Sequence, residues 1–124
     1  MNIEIVGTGA IYSKHNSACT LINNDMIVDF PNGILKQLLK TNHNLEQIDK
    51  MLITHFHGDH TADIPFLLMY KLKKGIIKPT TIIGPIGLEN KVKQLFCAYD
   101  YEFEKVEKLV EFIELNPKDI KDVG

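Results

Sequence analysis

The stretch Lys50-Met51-Leu52-Ile53-Thr54-His55-Phe56-His57-Gly58-Asp59-His60 decides how this chain is read. Its first half, Met51 to Ile53, is a short continuous apolar run. Such a run predicts a strand buried on both faces rather than the alternating strand of a half-exposed sheet. Its second half packs three imidazoles and a carboxylate into the six residues His55 to His60. Gly58 in the middle offers backbone conformations that other residues resist. A loop of this kind at the end of a buried strand can turn several side chains toward one point. Neutral imidazole and carboxylate are the donors that borderline cations such as zinc prefer. Two residues apart on extended backbone, His55 and His57 can reach one metal together. Asp59 and His60, coming off the turn, can reach a second. Two adjacent metals can clamp both the attacking and the leaving oxygen of a displacement.

The flanking sequence frames this loop as part of an α/β protein. Alternation of Ile3 and Ile5 with Asn2 and Glu4 predicts a half-buried strand over residues 2–6. Further strands are predicted over 18–22 and 26–29, joined by the turn-forming Asn23-Asn24-Asp25. Helical spacing of Ile34, Leu35, Leu38 and Leu39 predicts a helix over 33–41. A helix over 61–73, a strand over 80–83 closed by Gly84-Pro85, and a helix over 87–98 follow. Residues 99–115 read as a helical half and then a strand from 109, with a turn at Asn116-Pro117-Lys118-Asp119. Strands first, then strands alternating with helices, is the order of an α/β domain with a mixed sheet.

Composition excludes several classes. The chain has 124 residues, 44% of them hydrophobic and 24% charged, which are globular values and not those of a disordered or fibrous chain. No apolar run is long enough to span a bilayer, and Met1-Asn2-Ile3-Glu4-Ile5 lacks the basic start of a signal peptide. All 14 basic residues are Lys, against 16 acids, for a net charge of −2. That balance gives no electrostatic support for general nucleic-acid binding. Cys19 and Cys97 are too few for a disulfide framework, so a reducing, cytoplasmic setting is expected, with both as small core residues. His15 and His43 read as surface or solvated loop histidines. Gly7-Thr8-Gly9 lacks the third glycine of a dinucleotide fingerprint, so no cofactor-binding residues are assigned.

The motif His55-Phe56-His57-Gly58-Asp59-His60 resembles the His-x-His-x-Asp-His signature of the metallo-β-lactamase fold superfamily. The surroundings resemble its ribonuclease Z-like branch: Gly7-Thr8-Gly9 after a first strand, Ser17 leading into a hairpin, Asp29 closing the third strand, and Gly84-Pro85 after a later one. The resemblance implies the N-terminal half of an αββα sandwich, with a mixed sheet and helices on one face. It implies a metal-dependent hydrolase with two zinc ions per complete domain. His55 and His57 would ligate the first ion, and Asp59 and His60 the second, with Asp59 also managing a proton. It implies that Asp29 braces the ligands from behind, although an ordinary turn Asp before Pro31 reads equally well. The substrate class implied is a phosphodiester, RNA or small-molecule, with a thioester or lactone as the runner-up. Phe30-Pro31-Asn32 departs from the branch, which has small residues and an acid there, and this argues against transfer RNA.

After His60 the chain contains no further histidine, and the family's third histidine, bridging aspartate and last histidine fall downstream of the region matching residues 110–124. Residues 1–124 are therefore expected to form a partial domain whose C-terminal half is absent. The rival to the hydrolase reading is a truncated, catalytically incomplete half-domain. Two protein ligands per metal are too few for tight zinc binding. An uncovered sheet face would favour self-association.

Overall fold

The computed structural model describes residues 1–123. Strands β1 (Ile3–Gly7), β2 (Cys19–Ile22) and β3 (Met26–Val28) form an antiparallel meander. Helix α1 (Ile34–Lys40) then crosses to β4 (Lys50–Leu52). Helices α2 (Gly58–Thr61) and α3 (Ile64–Lys74) lead to β5 (Thr80–Pro85), and α4 (Leu88–Ala98) leads through two 3₁₀ turns to β6 (Val110–Leu115). The six strands lie side by side in sequence order, and β3 to β6 pair in parallel. Strand twist makes parallel crossovers right-handed in nearly all sheets. Because every crossover steps in the same direction along the sheet, all the crossover helices fall on the same face.

Burial follows from that one-sided layering. Leu21, Ile27, Met51 and Ile82 stand in one row across the sheet and are at most 1% exposed. They pack against Ile34 and Leu38 of α1, Ile64, Leu67 and Leu68 of α3, and Val92 and Phe96 of α4. Each fully buried side chain of this size contributes roughly 1.5–3 kcal/mol of transfer free energy. The row on the opposite face, Val28, Leu52, Ile83 and Ile113, has no helical layer over it. Ile83 is buried there, whereas Val28, Leu52 and Ile113 are only half-buried.

This layering corrects two expectations. The apolar run of β4 is not buried on both faces, because Leu52 points to the side without helices. Ile3 and Ile5 are more than half exposed, because β1 is an edge strand and they share that uncovered side with Ile22 and Thr20. The helix expected from 61 to 73 begins instead at Ile64 as α3, preceded by the separate single turn α2, which ends at Thr61. Asp63 leaves helical geometry (φ −89°, ψ 0°) and Pro65 sits in the first turn of α3, where its missing N–H costs nothing. The helical half expected after residue 99 is a pair of 3₁₀ turns, Phe103–Lys105 and Glu107–Leu109. The turn at 116–119 is present, closed by Asp119 N–H on Asn116 O and Asn116 N–H on Asp119 Oδ2.

Of the two cysteines only Cys19 is in the core. Cys97 is exposed on the outer side of α4. His43 is not a solvated loop residue, since its ring lies between Thr41 Oγ1 (2.6 Å) and Glu4 Oε2 (2.8 Å) and ties the end of α1 to the edge strand.

Candidate metal centre

The motif loop leaves the C-terminal end of β4, beside the C-terminal end of β3. Backbone bonds fix both exits. Asp29 N–H donates to Leu52 O at 2.7 Å, and Ile53 N–H to Ile83 O at 2.8 Å. Beyond Ile53 the chain runs without regular structure to His57, then turns into the single-turn helix α2. His60 N–H donates to His57 O, and Thr61 Oγ1 bonds the same carbonyl at 3.1 Å. Asp59 and His60 are thereby turned back toward His55 and His57. Gly58 owes its place to neither a left-handed φ nor a close approach, and a Cβ there would meet nothing within 4 Å.

Three imidazole rings converge. The centroids of His55 and His57 are 4.7 Å apart, and those of His55 and His60 are 4.1 Å apart. The Asp59 carboxylate lies 3.6 Å from His60 Nε2. All four motif residues expected as ligands are therefore brought together at one edge of the sheet. Among the described residues no group of three or more His, Cys, Asp or Glu side chains is arranged to hold a metal ion.

The donor chemistry nevertheless fits such a centre, because two rings have Nδ1 engaged from behind, which leaves Nε2 as the nitrogen that would meet a ligand. His60 Nδ1 lies 2.7 Å from Asp29 Oδ2, and His55 Nδ1 lies 2.9 Å from Thr54 Oγ1. Asp29 is buried and sits at a left-handed φ of 62°, a conformation Asp tolerates better than most residues. Its carboxylate also accepts Thr54 N–H at 2.8 Å and the Thr54 hydroxyl. Asp29 thus stands behind the imidazoles, and it is more than a turn residue preceding Pro31.

Two participants escape a reading of the sequence. Thr54 differs from an ordinary strand-end threonine only in standing directly before His55. Asp63 looks like a cap for its own helix, but its carboxylate accepts the N–H of Leu35 at 3.0 Å and so closes the start of α1. Burial pushes the Asp63 carboxyl above its ordinary range, against the pull of the Leu35, Gly33 and Ile34 amides. Phe30 links the two regions, since its N–H donates to His60 O and its carbonyl accepts Asp63 N–H. Cys19 takes no part as a nucleophile: burial, with Asp29 adding to it, pushes its thiol up to about 12.

This sheet order, with the His-Asp cluster at its C-terminal edge, defines a metallo-β-lactamase-fold protein of the ribonuclease Z-like kind. The chain belongs to the family described as "Anti-Pycsar protein Apyc1", which it matches over residues 1–121. It is 32% identical to ribonuclease Z of Lactobacillus helveticus over 123 residues, covering 93% of this chain and 38% of the relative. It is 30% identical to ribonuclease Z of Enterococcus faecalis, covering 98% of this chain and 42% of the relative. Among solved structures, the short form of human tRNase Z superposes with a TM-score of 0.70 at 28% identity, over 92% of this chain and 44% of that one. The metallo-β-lactamase-fold protein YhfI of Bacillus subtilis superposes with a TM-score of 0.69 at 21% identity, over 98% and 48%. The chain therefore spans less than half the length of these relatives.

Proposed function

We propose that this chain is the N-terminal half of a metal-dependent hydrolase of phosphodiester bonds, acting in the cytoplasm on RNA or a small-molecule phosphodiester through a dinuclear zinc centre. The observation that carries this reading is the convergence of His55, His57 and His60 beside Asp59, with Asp29 gripping His60 Nδ1. Bound zinc supplies Lewis acidity and an activated water nucleophile. His55 and His57 bind one ion, and Asp59 and His60 the other. Asp59 holds the proton exchanged with the nucleophile and leaving group. Asp29 keeps His60 Nε2 aimed into the site. Two unpaired cysteines support a reducing compartment.

The test is zinc titration and turnover of a phosphodiester reporter, with a thioester reporter alongside, by the chain and by His57→Ala. Zinc uptake that His57→Ala abolishes, with hydrolysis of the phosphodiester alone, supports the proposal. Thioester turnover in its place overturns the substrate class. Zinc uptake unaffected by His57→Ala overturns the ligand set.

The uncovered sheet face has its own consequence. The side of the sheet carrying Ile3, Ile5, Leu52 and Ile113 has no helical layer, and we infer that the isolated chain self-associates through it. Sedimentation equilibrium reads this directly. Dimers or larger species that Ile5→Lys weakens support it, and a monomer at high micromolar concentration rejects it.

A further inference from the structure

We propose that Thr54 is a positioning residue that relays the Asp29 carboxylate to His55 and fixes that imidazole with its proton on Nδ1 and its Nε2 lone pair free. The role rests on the reading of His55 as a metal ligand, but it concerns the ring before any metal arrives.

The hydroxyl of Thr54 lies 2.8 and 3.0 Å from the two Asp29 oxygens and 2.9 Å from His55 Nδ1. A hydroxyl has one proton to give and can accept in return. Asp29 accepts on every side: the Thr54 amide on Oδ1 and His60 Nδ1 on Oδ2. The Thr54 proton therefore goes to Asp29, and the contact with His55 must run the other way, from Nδ1–H to Oγ1. That leaves Nε2 of His55 unprotonated. His60 reaches the same state through its direct bond to Asp29, so one buried carboxylate sets the tautomer of a ligand in each half of the proposed centre. It acts on His60 directly and on His55 through a single hydroxyl. An imidazole free in water carries its proton mainly on Nε2, so the relay reverses the default at His55.

The test is nitrogen-15 NMR of the imidazoles in the metal-free chain at about pH 8, above the usual imidazole pKa. In the native chain the unprotonated resonance is expected on Nε2 of His55 and of His60. In Thr54→Val, which keeps the shape and removes the hydroxyl, His55 is expected to shift to the Nε2–H form while His60 stays unchanged. Thr54→Ser is expected to restore the native pattern. A native His55 protonated on Nε2 overturns the proposal whether or not the variants fold, and so does an unchanged His55 in a folded Thr54→Val chain. Because no metal is present, failure here is separate from failure of the zinc reading, which the titration above decides.

Discussion

Asp29 Oδ2 and His60 Nδ1 lie 2.7 Å apart although the two residues are 31 apart in sequence. The carboxylate is buried, the ring is only slightly exposed, and the parallel pairing of β3 with β4 brings the two together. The pair connects the sheet to the site. β3 ends where it does so that Asp29 can turn its side chain behind the motif, and α2 turns His60 back to meet it. The neighbouring bond from Phe30 N–H to His60 O holds the backbone of the same histidine.

Replacing Asp29 with Asn tests that connection without disturbing the backbone, since Asn also tolerates the left-handed φ. The amide presents one acceptor oxygen where the carboxylate presents two, so the bonds to His60 and Thr54 cannot all survive. Zinc affinity is expected to fall about 10- to 100-fold, the usual effect of losing such a partner behind a ligand. Stability is expected to fall by about 1–3 kcal/mol, from the desolvated groups left unmatched. Competition titration with a zinc chelator reads the first effect and urea unfolding the second.

Two glycines make opposite predictions. At Gly7 a Cβ would stand 2.1 Å from the Ser17 carbonyl oxygen and 3.0 Å from that of Asn16, both backbone atoms. Gly7→Ala should therefore force the edge strand away from the 8–17 loop and cost about 1–3 kcal/mol. At Gly58 the space is open and the backbone is helical, so Gly58→Ala should stabilise the chain by about 0.4–1 kcal/mol through the unfolded state. Paired urea melts of the two variants check both signs. Equal effects would show that the loop yields more easily than its contacts imply.

The motif and the succession of strands and helices were legible because each leaves a local mark: a spacing of donors, a period of apolar residues, a turn signal. The one-sided helical layer followed only from the family resemblance. The face to which Leu52 points was not, since a three-residue apolar run reads the same whether one side or two are covered. The break at Asp63 was hidden because Pro65 is compatible with helical geometry both in a first turn and after a kink. The partners of Thr54 and of Asp63 lie 25 and 28 residues away, and nothing in their own neighbourhoods announces such distant bonds. Full burial of Lys71 was not legible either, since a lysine is almost never fully buried unless paired.

Asp63 supplies the acceptor that closes α1, so Asp63→Ala leaves the Leu35 amide without its partner. The expected cost is about 1–3 kcal/mol. Asp63→Asn, which retains an acceptor oxygen, should lose less. Hydrogen exchange at Leu35 separates a local effect from a global one. Faster exchange there, with β4 and β5 amides still protected, is expected. Uniform loss of protection would mean that Asp63 holds the whole helical layer.

Lys71 contributes a pH dependence on the alkaline side. Its Nζ is buried against Ile48 O at 3.2 Å and the Thr80 hydroxyl, and burial pulls its pKa down from 10.5 to about 8. A lysine whose pKa is lowered on folding is held more readily in its neutral form. Between about pH 8 and 10.5 the unfolded Lys71 therefore holds more proton than the folded one and contributes stability that rises with pH, while the raised Cys19 thiol works in the opposite direction from about pH 9. At about 1.4 kcal/mol per pKa unit the whole rise is on the order of 3 kcal/mol. Lys71→Met removes the titrating group while keeping most of the side chain's volume, and should remove that rise, leaving the decline from Cys19 above about pH 9. Urea unfolding from pH 7.5 to about 10, run on both chains, measures the slope. A native chain that loses stability steadily over this range, in parallel with Lys71→Met, would show that Nζ stays charged in the core on the strength of its two oxygen partners.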